Sequence, residues 1–331
     1  MKKQHVLNCQ FSSWYNQFKE ITIKSRIIDL PQEFLDYLHA DGLVLPDSCD
    51  ETFDRHDLEG DSDDEVVWDD DTRVAKAPSF PQFEAQIKSS IVKLGGKVFP
   101  KLNWSSPKDA AWIIHDNTLR CTCPRDVYLL LKSSDFVTHD LTQPFDQCDD
   151  HTEGDQLTIQ YQLVLREWHS VHPGLEFRCF VKNKKLIAVC QRHHASYYAF
   201  IHTDRDDIIS DIQTFYWQRI NERFPDSNYV FDVYRKKKGK VYLVDFNPFG
   251  AVTDSLMFDW EELSIDSNTT SESPIFRYVE SEMGVQPAPY HTSGVPQDFI
   301  HLASGEDPYK LVDFLKLKIQ QQNDEDDNTS D

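Results

Sequence analysis

Two segments near residue 240 are rich in β-branched and aromatic residues, which favour strands. They cover residues 229–234 and 241–250, and the lysine-rich stretch 235–240, which contains Gly239, separates them. Two such strands joined by a short glycine-containing turn form a β-hairpin. The pattern therefore predicts an antiparallel hairpin in this part of the chain.

The hairpin would bring acidic side chains together. With the turn centred at Lys238-Gly239, Asp232 lies opposite Asp245 and Val230 lies opposite Asn247, so the two aspartates and the asparagine share one face. Like charges directly opposite each other destabilise a sheet, and a Mg²⁺ ion held by carboxylates and phosphate would remove the repulsion. Spacing alone leaves two interpretations open, a Mg²⁺–nucleotide site and a solvated acidic face beside a basic turn.

Hydrophobic periodicity in the rest of the chain predicts several helices and several strands. Helical spacing of apolar residues covers 11–18, 31–38, 83–94, 208–224 and 308–318. Strand-like runs cover 21–30, 98–102, 157–168, 174–181 and 185–190. Residues 105–113 fit a cap and turn that lead into a further element, and residues 127–132 fit either a helix or a strand.

The net charge of −22 over 331 residues is spread unevenly. Residues 47–71 hold thirteen acidic residues and one basic residue, and residues 324–331 hold five more acidic residues. Acidic sequence with few aliphatic residues cannot bury enough apolar surface to order itself. We therefore expect a disordered linker over residues 46–79 and a disordered tail over residues 321–331. Residues 264–296 are rich in Ser, Thr, Pro and Glu, and we expect a flexible loop there.

The remainder of the chain is nearly neutral, so it lacks the concentrated basic surface of nucleic-acid-binding proteins. We expect no nucleic-acid partner. The sequence also has no run of about 18 apolar residues, so we expect no membrane association and a cytoplasmic location. Seven cysteines at irregular spacing indicate reduced thiols, and the close pair Cys121 and Cys123 does not favour a zinc site.

The sequence contains neither of the glycine-rich motifs G-x-x-x-x-G-K-[ST] and G-x-G-x-x-G. A phosphate site would therefore need cations that are scattered along the chain. Candidates lie at or near the ends of predicted strands, or inside one of them: Lys101, Arg166, Arg178 and Arg192. Guanidinium groups suit phosphate because their donors form a fork. The alternative is that each arginine pairs with a structural carboxylate such as Glu176.

Several motifs resemble the cell-division-cycle protein 123 family. They are residues 99–105 (FPKLNWS), 163–168 (LVLREW), 176–181 (EFRCFV) and 244–250 (VDFNPFG), together with the opening residues 1–7 (MKKQHVL) and the acidic linker. The resemblance covers nearly the whole chain.

The resemblance implies an α+β, ATP-grasp-like fold in which two lobes clasp ATP, with Mg²⁺ on the larger lobe. The smaller lobe would be residues 80–155 and the larger lobe residues 156–263, while residues 1–45 would pack on the body. Residues 297–320 would form a C-terminal segment and helix. The implied role is an ATP-dependent chaperone that binds the γ subunit of eukaryotic translation initiation factor 2 through that subunit's third domain. It would promote assembly of the heterotrimer and so support translation initiation and cell-cycle progression. A monomer that is not an enzyme is expected, with slow ATP turnover left open.

The resemblance also implies roles for individual residues. Lys101 would contact phosphate from the smaller lobe, with Asn103, Trp104, Ser106, Lys108 and Asp109 along the same edge. Arg166 would lie at the cofactor, and Glu167, Trp168 and His169 would form a hinge that holds adenine largely through backbone groups. Glu176 would lie near the ribose, and Arg178 and Arg192 would face phosphates. Asp232, Asp245 and Asn247 would ligate Mg²⁺.

Two other functions fit a chain with these features. The first is an ATP-grasp ligase that acts on a carboxylate substrate, although no residues can be assigned to an acceptor pocket. The second is an interaction protein that works through its acidic linker and tail.

Overall fold

A computed structural model describes residues 1–40, 42, 78–114, 116–151, 159–265 and 273–282. All of these residues fall within Met1–Ala288, which forms one unit by its internal contacts. This part of the chain contains helices and two separate β-sheets, so the α+β prediction is confirmed. No described helix is both long enough and apolar enough to cross a membrane.

The first sheet has three antiparallel strands. These are β1 (Ser25–Asp29), β2 (Val98–Lys101) and β3 (Gln162–Glu167), in the spatial order β1-β3-β2. One face of β3 contributes Leu163 and Leu165 to an apolar cluster with neighbouring helices. The other face of the sheet carries Lys101 and Arg166, because antiparallel pairing sets Phe99 opposite Arg166 and Lys101 opposite Val164.

The second sheet has five strands in the order β7-β6-β4-β5-β8. Its strands are β4 (Glu176–Lys182), β5 (Lys185–Gln191), β6 (Tyr229–Lys237), β7 (Lys240–Pro248) and β8 (Ile275–Arg277). The pairing is antiparallel except between β5 and β8, which is parallel.

Eight α-helices are found among the described residues. They are α1 (Lys3–Asn8), α2 (Phe11–Phe18), α3 (Gln32–His39), α4 (Pro81–Lys93), α5 (Pro124–Lys132), α6 (Asp135–Thr142), α7 (Ala199–Phe215) and α8 (Trp260–Ser264). Short 3₁₀ helices cover Lys108–Ile113 and Pro173–Leu175, and a π-helical turn, Tyr216–Ile220, follows α7.

The main core lies between α2, α7 and one face of the five-stranded sheet. Helical spacing in α2 turns Phe11, Trp14 and Phe18 to the same side, where Trp14 and Phe18 meet Phe246 of β7 with ring centroids 5.4 and 5.2 Å apart. Alternate residues of each strand face this core, so the remaining residues face the other way. The opposite face is apolar at one end and charged at the other.

The predicted hairpin is present, and its register is the predicted one. Asp232 pairs with Asp245 and Val230 with Asn247, while the turn lies at Lys238-Gly239. The ladder contains two irregularities, one next to Asp232 and one near the turn, and the extra residues lie on opposite strands. Their effects on the register cancel, so a count from the turn gives the correct pairs.

Several element predictions need correction. Helix α7 begins at Ala199, nine residues before the predicted start at Ile208, because Ile201 belongs to the same buried stripe as Ile208 and Ile212. Strand β8 lies within residues 264–296, where a loop was predicted, since three residues that pair only at a sheet edge leave little periodicity. The ambiguous residues 127–132 are helical.

Some predictions fall on parts of the chain that are not described. The acidic linker lies outside the described residues except for residues 78 and 79, and so do the C-terminal helix and the acidic tail.

Candidate functional site

Charged side chains gather where the five-stranded sheet meets β2 and β3. We call this set the charged cluster, and its members are Lys101, Lys108, Arg166, Glu176, Arg178, Arg192, Asp232 and Asp245. Strand pairing explains the gathering, because Arg178 lies opposite Asp232, which lies opposite Asp245, in three adjacent strands. All three therefore emerge on the same face of the sheet.

Asp232 is the best-paired carboxylate of the charged cluster. Arg178 donates from Nε and Nη2 to its two oxygens, both at 2.8 Å, and both side chains are buried. Arg192 Nε donates to Asp232 Oδ2 at 3.2 Å. Burial works to raise the pKa of Asp232, but the charges of Arg178 and Arg192 outweigh it and hold that pKa well below the ordinary range. Asp232 is therefore ionised at neutral pH.

Arg192 also links Asp232 to Glu176. Its Nε lies 3.9 Å from Glu176 Oε2, and His193 Nε2 lies 3.4 Å from the same oxygen. Burial opposes ionisation of Glu176, yet the hydrogen bond from His193 and the charge of Arg192 lower its pKa overall. The side chains of Arg192 and Glu176 each retain 17% exposure, so this end of the cluster reaches solvent.

Lys101 of β2 connects the two sheets. Its Nζ donates to Asp245 Oδ2 at 2.5 Å, and the lysine is fully buried. Burial lowers the pKa of Lys101, and the charge of Asp245 offsets only part of that effect. The other oxygen of Asp245 accepts the backbone N–H of Phe246. The ion pair therefore links β2 of the first sheet to β7 of the second sheet.

Lys108 is the exposed cation of the charged cluster. It begins the 3₁₀ helix Lys108–Ile113 and keeps solvent-accessible surface, although protein atoms crowd around it. Loss of solvent around the ammonium group, then the positive charge of Arg192, lowers the pKa of Lys108 to about 7, while Asp232 and Glu176 act in the opposite direction. An added negative charge here would restore its protonated form.

Arg166 is enclosed rather than presented to a ligand. Its Nη1 donates to the carbonyl of Val244 at 2.8 Å and its Nη2 to Thr22 Oγ1 at 3.1 Å. The guanidinium carbon lies 5.2 Å from the ring of Phe11 and 5.4 Å from that of Phe99. Burial lowers its pKa to about 10. The structure brings Arg166 to the cluster but surrounds it with protein.

Three of the residues expected along the nucleotide edge have internal partners instead. Asn103 binds the backbone at Gln160 and Gln162 through both side-chain atoms. The indole N–H of Trp104 donates to the carbonyl of Val6 at 2.8 Å. These side chains hold β3 and α1 in place.

Asp109 is the third such residue, and it caps helix α6. Its Oδ1 accepts the hydroxyl of Ser134 at 2.6 Å, and its Oδ2 accepts the backbone N–H groups of Asp135 and Phe136. Ser106 keeps a half-exposed side chain, and its carbonyl accepts the N–H of Lys108. Along the nucleotide edge, Trp104 and Ser106 are half-buried and Lys108 is exposed, whereas Asn103 and Asp109 are buried.

The predicted hinge, Glu167 to His169, lies at the end of β3. The amide of Glu167 donates to the carbonyl of Lys24 at 2.9 Å, and that of Trp168 donates to Lys97 at 3.0 Å. Both amides are thus occupied, so an adenine ring at this hinge would use other backbone groups. The side chain of His169 is half exposed, 3.8 Å from Glu167.

The predicted metal ligands share a face, but each aspartate already has cationic partners. The repulsion expected between Asp232 and Asp245 is relieved by Arg178 on one and Lys101 on the other. Asn247, which is half-buried, follows on the same face of β7. In the described part of the chain, no three His, Cys, Asp or Glu side chains are grouped as a metal site. The carboxylates suit Mg²⁺ chemically, provided that the cations turn to an added anion.

One residue of the neighbourhood was missed by sequence reasoning. Asp140 of α6 accepts the N–H groups of Trp104 and Ser105, at 3.3 and 2.8 Å, and the hydroxyl of Ser105 at 2.8 Å. It is almost fully buried, and burial raises its pKa to about 6. It holds the loop that follows Lys101, and no local pattern in α6 distinguishes it from a surface acid.

Comparison with known proteins places the chain in a family. The sequence profile of the D123 family matches residues 14–303. A relative from Xenopus tropicalis, named translation initiation factor eIF2 assembly protein, is 48% identical over 337 residues, which cover 99% of this chain and 100% of the relative. A relative of the same name from Danio rerio is 47% identical over 336 residues, which cover 97% of this chain and 96% of the relative.

A solved structure shows the same fold. Cdc123 from Schizosaccharomyces pombe superposes with a TM-score of 0.69 at 38% sequence identity, covering 85% of this chain and 99% of that chain. Because the sequence similarity extends over nearly the full length and the fold agrees, this chain belongs to the D123 family.

Proposed function

We propose that this protein is an assembly chaperone for translation initiation factor eIF2 and that it binds ATP with Mg²⁺ at the charged cluster. The relatives from Xenopus tropicalis and Danio rerio, which carry the name of eIF2 assembly protein, support the first part. We also propose a cytoplasmic location, which fits a role in translation factor assembly. The γ subunit of eIF2, through its third domain, is the partner we propose, with one copy of this chain acting as a monomer.

The observation that carries the nucleotide site is an excess of positive charge in the charged cluster. Four basic side chains of the charged cluster face its three carboxylates even when Arg166, whose Nη1 and Nη2 bind protein groups, is left out. The four are Lys101, Lys108, Arg178 and Arg192. Lys101 and Arg178 are buried and Arg192 is half-buried, whereas Lys108 is exposed. A buried cation without compensating negative charge is costly. A triphosphate would supply the missing negative charge, and forked guanidinium groups suit its oxygens. ATP therefore fits the electrostatics better than a neutral ligand does.

The two sheets also suit an ATP-grasp-like arrangement. Lys101 and Lys108 approach from the first sheet's side, and Arg178, Arg192 and Asp232 from the second. Asp232, Asp245 and Asn247 would hold Mg²⁺, which would neutralise phosphate charge. ATP would then fasten the two sheets and fix the surface that meets the partner. This role requires binding and no chemical turnover.

Calorimetry with ATP tests the nucleotide site. We expect the wild-type chain to bind ATP more tightly with Mg²⁺ than without it. Replacement of Asp245→Ala should abolish that difference, because it removes a metal ligand. The control is Asp207→Ala, which removes an exposed carboxylate paired with Lys238 at the far end of the hairpin and should leave binding unchanged. A wild-type chain that shows no heat of binding with ATP would refute the nucleotide site.

Capture of eIF2 subunits by the immobilised full chain tests the assembly role. We expect the γ subunit to be retained by the wild type in the presence of ATP and Mg²⁺, and less of it by Asp245→Ala. A non-hydrolysable ATP analogue should support the same capture as ATP, since binding alone is needed. Strong stimulation of ATP consumption by a small carboxylate would instead favour a ligase.

A further inference from the structure

Strand β7 contains one extra residue beside the charged cluster. Val233 pairs with Leu243 and Asp232 pairs with Asp245, so Val244 has no opposite residue on β6 and forms a β-bulge. In a regular strand Leu243 and Asp245 would point to the same face, because side chains alternate. The bulge changes this. Leu243 and Phe246, three residues apart, both enter the main core, and Asp245 turns to the charged cluster.

The bulge is held by groups from outside the sheet. The carbonyl of Val244 accepts Arg166 Nη1 at 2.8 Å. The carbonyl of Leu243 accepts Thr22 Oγ1 at 2.8 Å, and the amide of Leu243 donates to the carbonyl of Ile21 at 2.8 Å. Arg166 Nη2 donates to the same Thr22 hydroxyl at 3.1 Å. One buried arginine and one buried threonine therefore take up backbone groups that the edge strand leaves open.

Arg166 is buried among protein groups, although its Nε has no hydrogen-bond partner in the described part of the chain. Its side chain is 1% exposed. The ring centroids of Phe11 and Phe99 lie 5.2 and 5.4 Å from the central carbon of the guanidinium group. Its hydrogen bonds at Nη1 and Nη2 go to a carbonyl and a hydroxyl and not to a carboxylate, as expected for a cation that serves the backbone.

We propose that Arg166 is a positioning residue: by holding the Val244 bulge it aims Asp245 at the charged cluster, and it does not itself contact phosphate. The part of this inference that concerns nucleotide binding rests on the proposed function. The part that concerns the bulge does not, because it follows from strand register and hydrogen bonds in the free protein.

Hydrogen exchange of the unliganded chain, followed by mass spectrometry, tests the bulge. In Arg166→Met the amides of residues 240–248 should exchange about tenfold faster or more, because a hydrogen bond from a charged donor to the backbone is lost. Residues 176–182 of β4 should exchange as in the wild type. Thr22→Val, which keeps the volume of the side chain, should change β7 in the same direction by a smaller factor. It also keeps the test valid if Arg166→Met does not fold.

Calorimetry with and without Mg²⁺ separates positioning from direct contact. In Arg166→Met and Thr22→Val the gain in ATP affinity that Mg²⁺ gives should fall towards zero, as expected for Asp245→Ala. The ATP affinity without Mg²⁺ should stay within about twofold to threefold of the wild type. The contrasting variant is Arg192→Met. Its affinity for ATP measured in the absence of Mg²⁺ should be lower than that of the wild type, and its hydrogen exchange over residues 240–248 should be unchanged.

Two results would overturn the proposal. One is unchanged exchange over residues 240–248 in both Arg166→Met and Thr22→Val. The other is a loss of about tenfold or more in Mg²⁺-free ATP affinity in Arg166→Met alone, which would mark a direct phosphate contact. If the wild type does not bind ATP, the proposed function fails, and the exchange experiment still decides whether Arg166 holds the bulge.

Discussion

Replacing Asp232 by asparagine removes the negative charge on which two buried or half-buried arginines depend. Asp232 accepts two hydrogen bonds from Arg178 at 2.8 Å and one from Arg192 at 3.2 Å. Loss of one partner from a buried ion pair costs about 3–5 kcal/mol, because the remaining charge is left without compensation. Three charge-assisted hydrogen bonds would sum to about 4.5–9 kcal/mol, but contacts that share one partner are not additive, and we use the lower range. We expect Asp232→Asn to lower the free energy of unfolding by about 3–5 kcal/mol.

Urea unfolding followed by tryptophan fluorescence measures this loss, and the chain offers a matched control. Glu262 makes the same two-point contact with Arg277, at 2.6 and 2.8 Å, but both side chains are more than one-third exposed. Exposed ion pairs contribute about 0–1 kcal/mol, so Glu262→Gln should cost no more than that. Equal costs for Asp232→Asn and Glu262→Gln, both below about 1 kcal/mol, would refute the reasoning from burial.

The pH dependence gives a second check on Asp232. Its pKa in the folded protein is lowered, so its stabilising effect is present above the unfolded pKa of about 3.9 and is lost as the pH falls through the folded pKa. The difference in unfolding free energy between wild type and Asp232→Asn should therefore be constant between about pH 5 and 7 and shrink below about pH 4. A difference that grows as the pH falls would contradict the sign of the shift.

Three further predictions concern buried contacts around the cluster. The pKa of Asp140 is raised to about 6. As the pH rises from about 4 to 6, the wild type should therefore lose unfolding free energy relative to Asp140→Asn, by up to about 3 kcal/mol in urea titrations. A pH-independent difference would contradict this. Asp109→Asn should weaken the cap that includes Ser134 and cost about 1–2 kcal/mol, with ATP affinity unchanged by calorimetry; the reverse result would assign Asp109 to the ligand. Gly174→Ala would set a Cβ 2.7 Å from the ring of Tyr198 and should cost about 1–3 kcal/mol in thermal or urea unfolding, whereas a neutral substitution would show that the ring moves freely.

The hairpin shows what can be derived from sequence alone. Strand composition and a turn at Gly239 were enough to predict that Asp232 lies opposite Asp245. The bulge at Val244 was not foreseen, and without it Asp245 would have faced the core. The prediction is correct because a second irregularity, near Arg235, restores the count from the turn. Local patterns thus gave the pairing, while the direction of Asp245 depends on contacts with distant residues.

Charge pairing across strands was harder to foresee. For Arg178 and Arg192 the structure shows pairing with a carboxylate, Asp232, while their contact with a ligand stays a prediction. Arg166 and Asp109 carry the residue types of a phosphate or ribose contact but serve the backbone. Residue type determines which groups a side chain can bind, whereas its place in the folded protein determines which of them it contacts.

The Arg178–Asp232 pair raises the question of why the fold keeps charges where apolar side chains would fit. Buried ion pairs are often no more stabilising than apolar residues of similar volume. We therefore expect the double variant Arg178→Met/Asp232→Leu to unfold within about 1 kcal/mol of the wild type, and so to be more stable than Asp232→Asn by about 3 kcal/mol. Arg192 would keep Glu176, 3.9 Å away, as its partner.

The double variant should nevertheless lose ATP affinity in calorimetry, since it removes one arginine and one carboxylate of the charged cluster. Stability recovered together with binding lost would show that the pair is retained for its ligand and not for the fold. If the double variant is as unstable as Asp232→Asn, the pair stabilises the protein in its own right. In that case the Arg178–Asp232 pair is no evidence for a nucleotide site. The site would then be supported by the other basic side chains of the charged cluster.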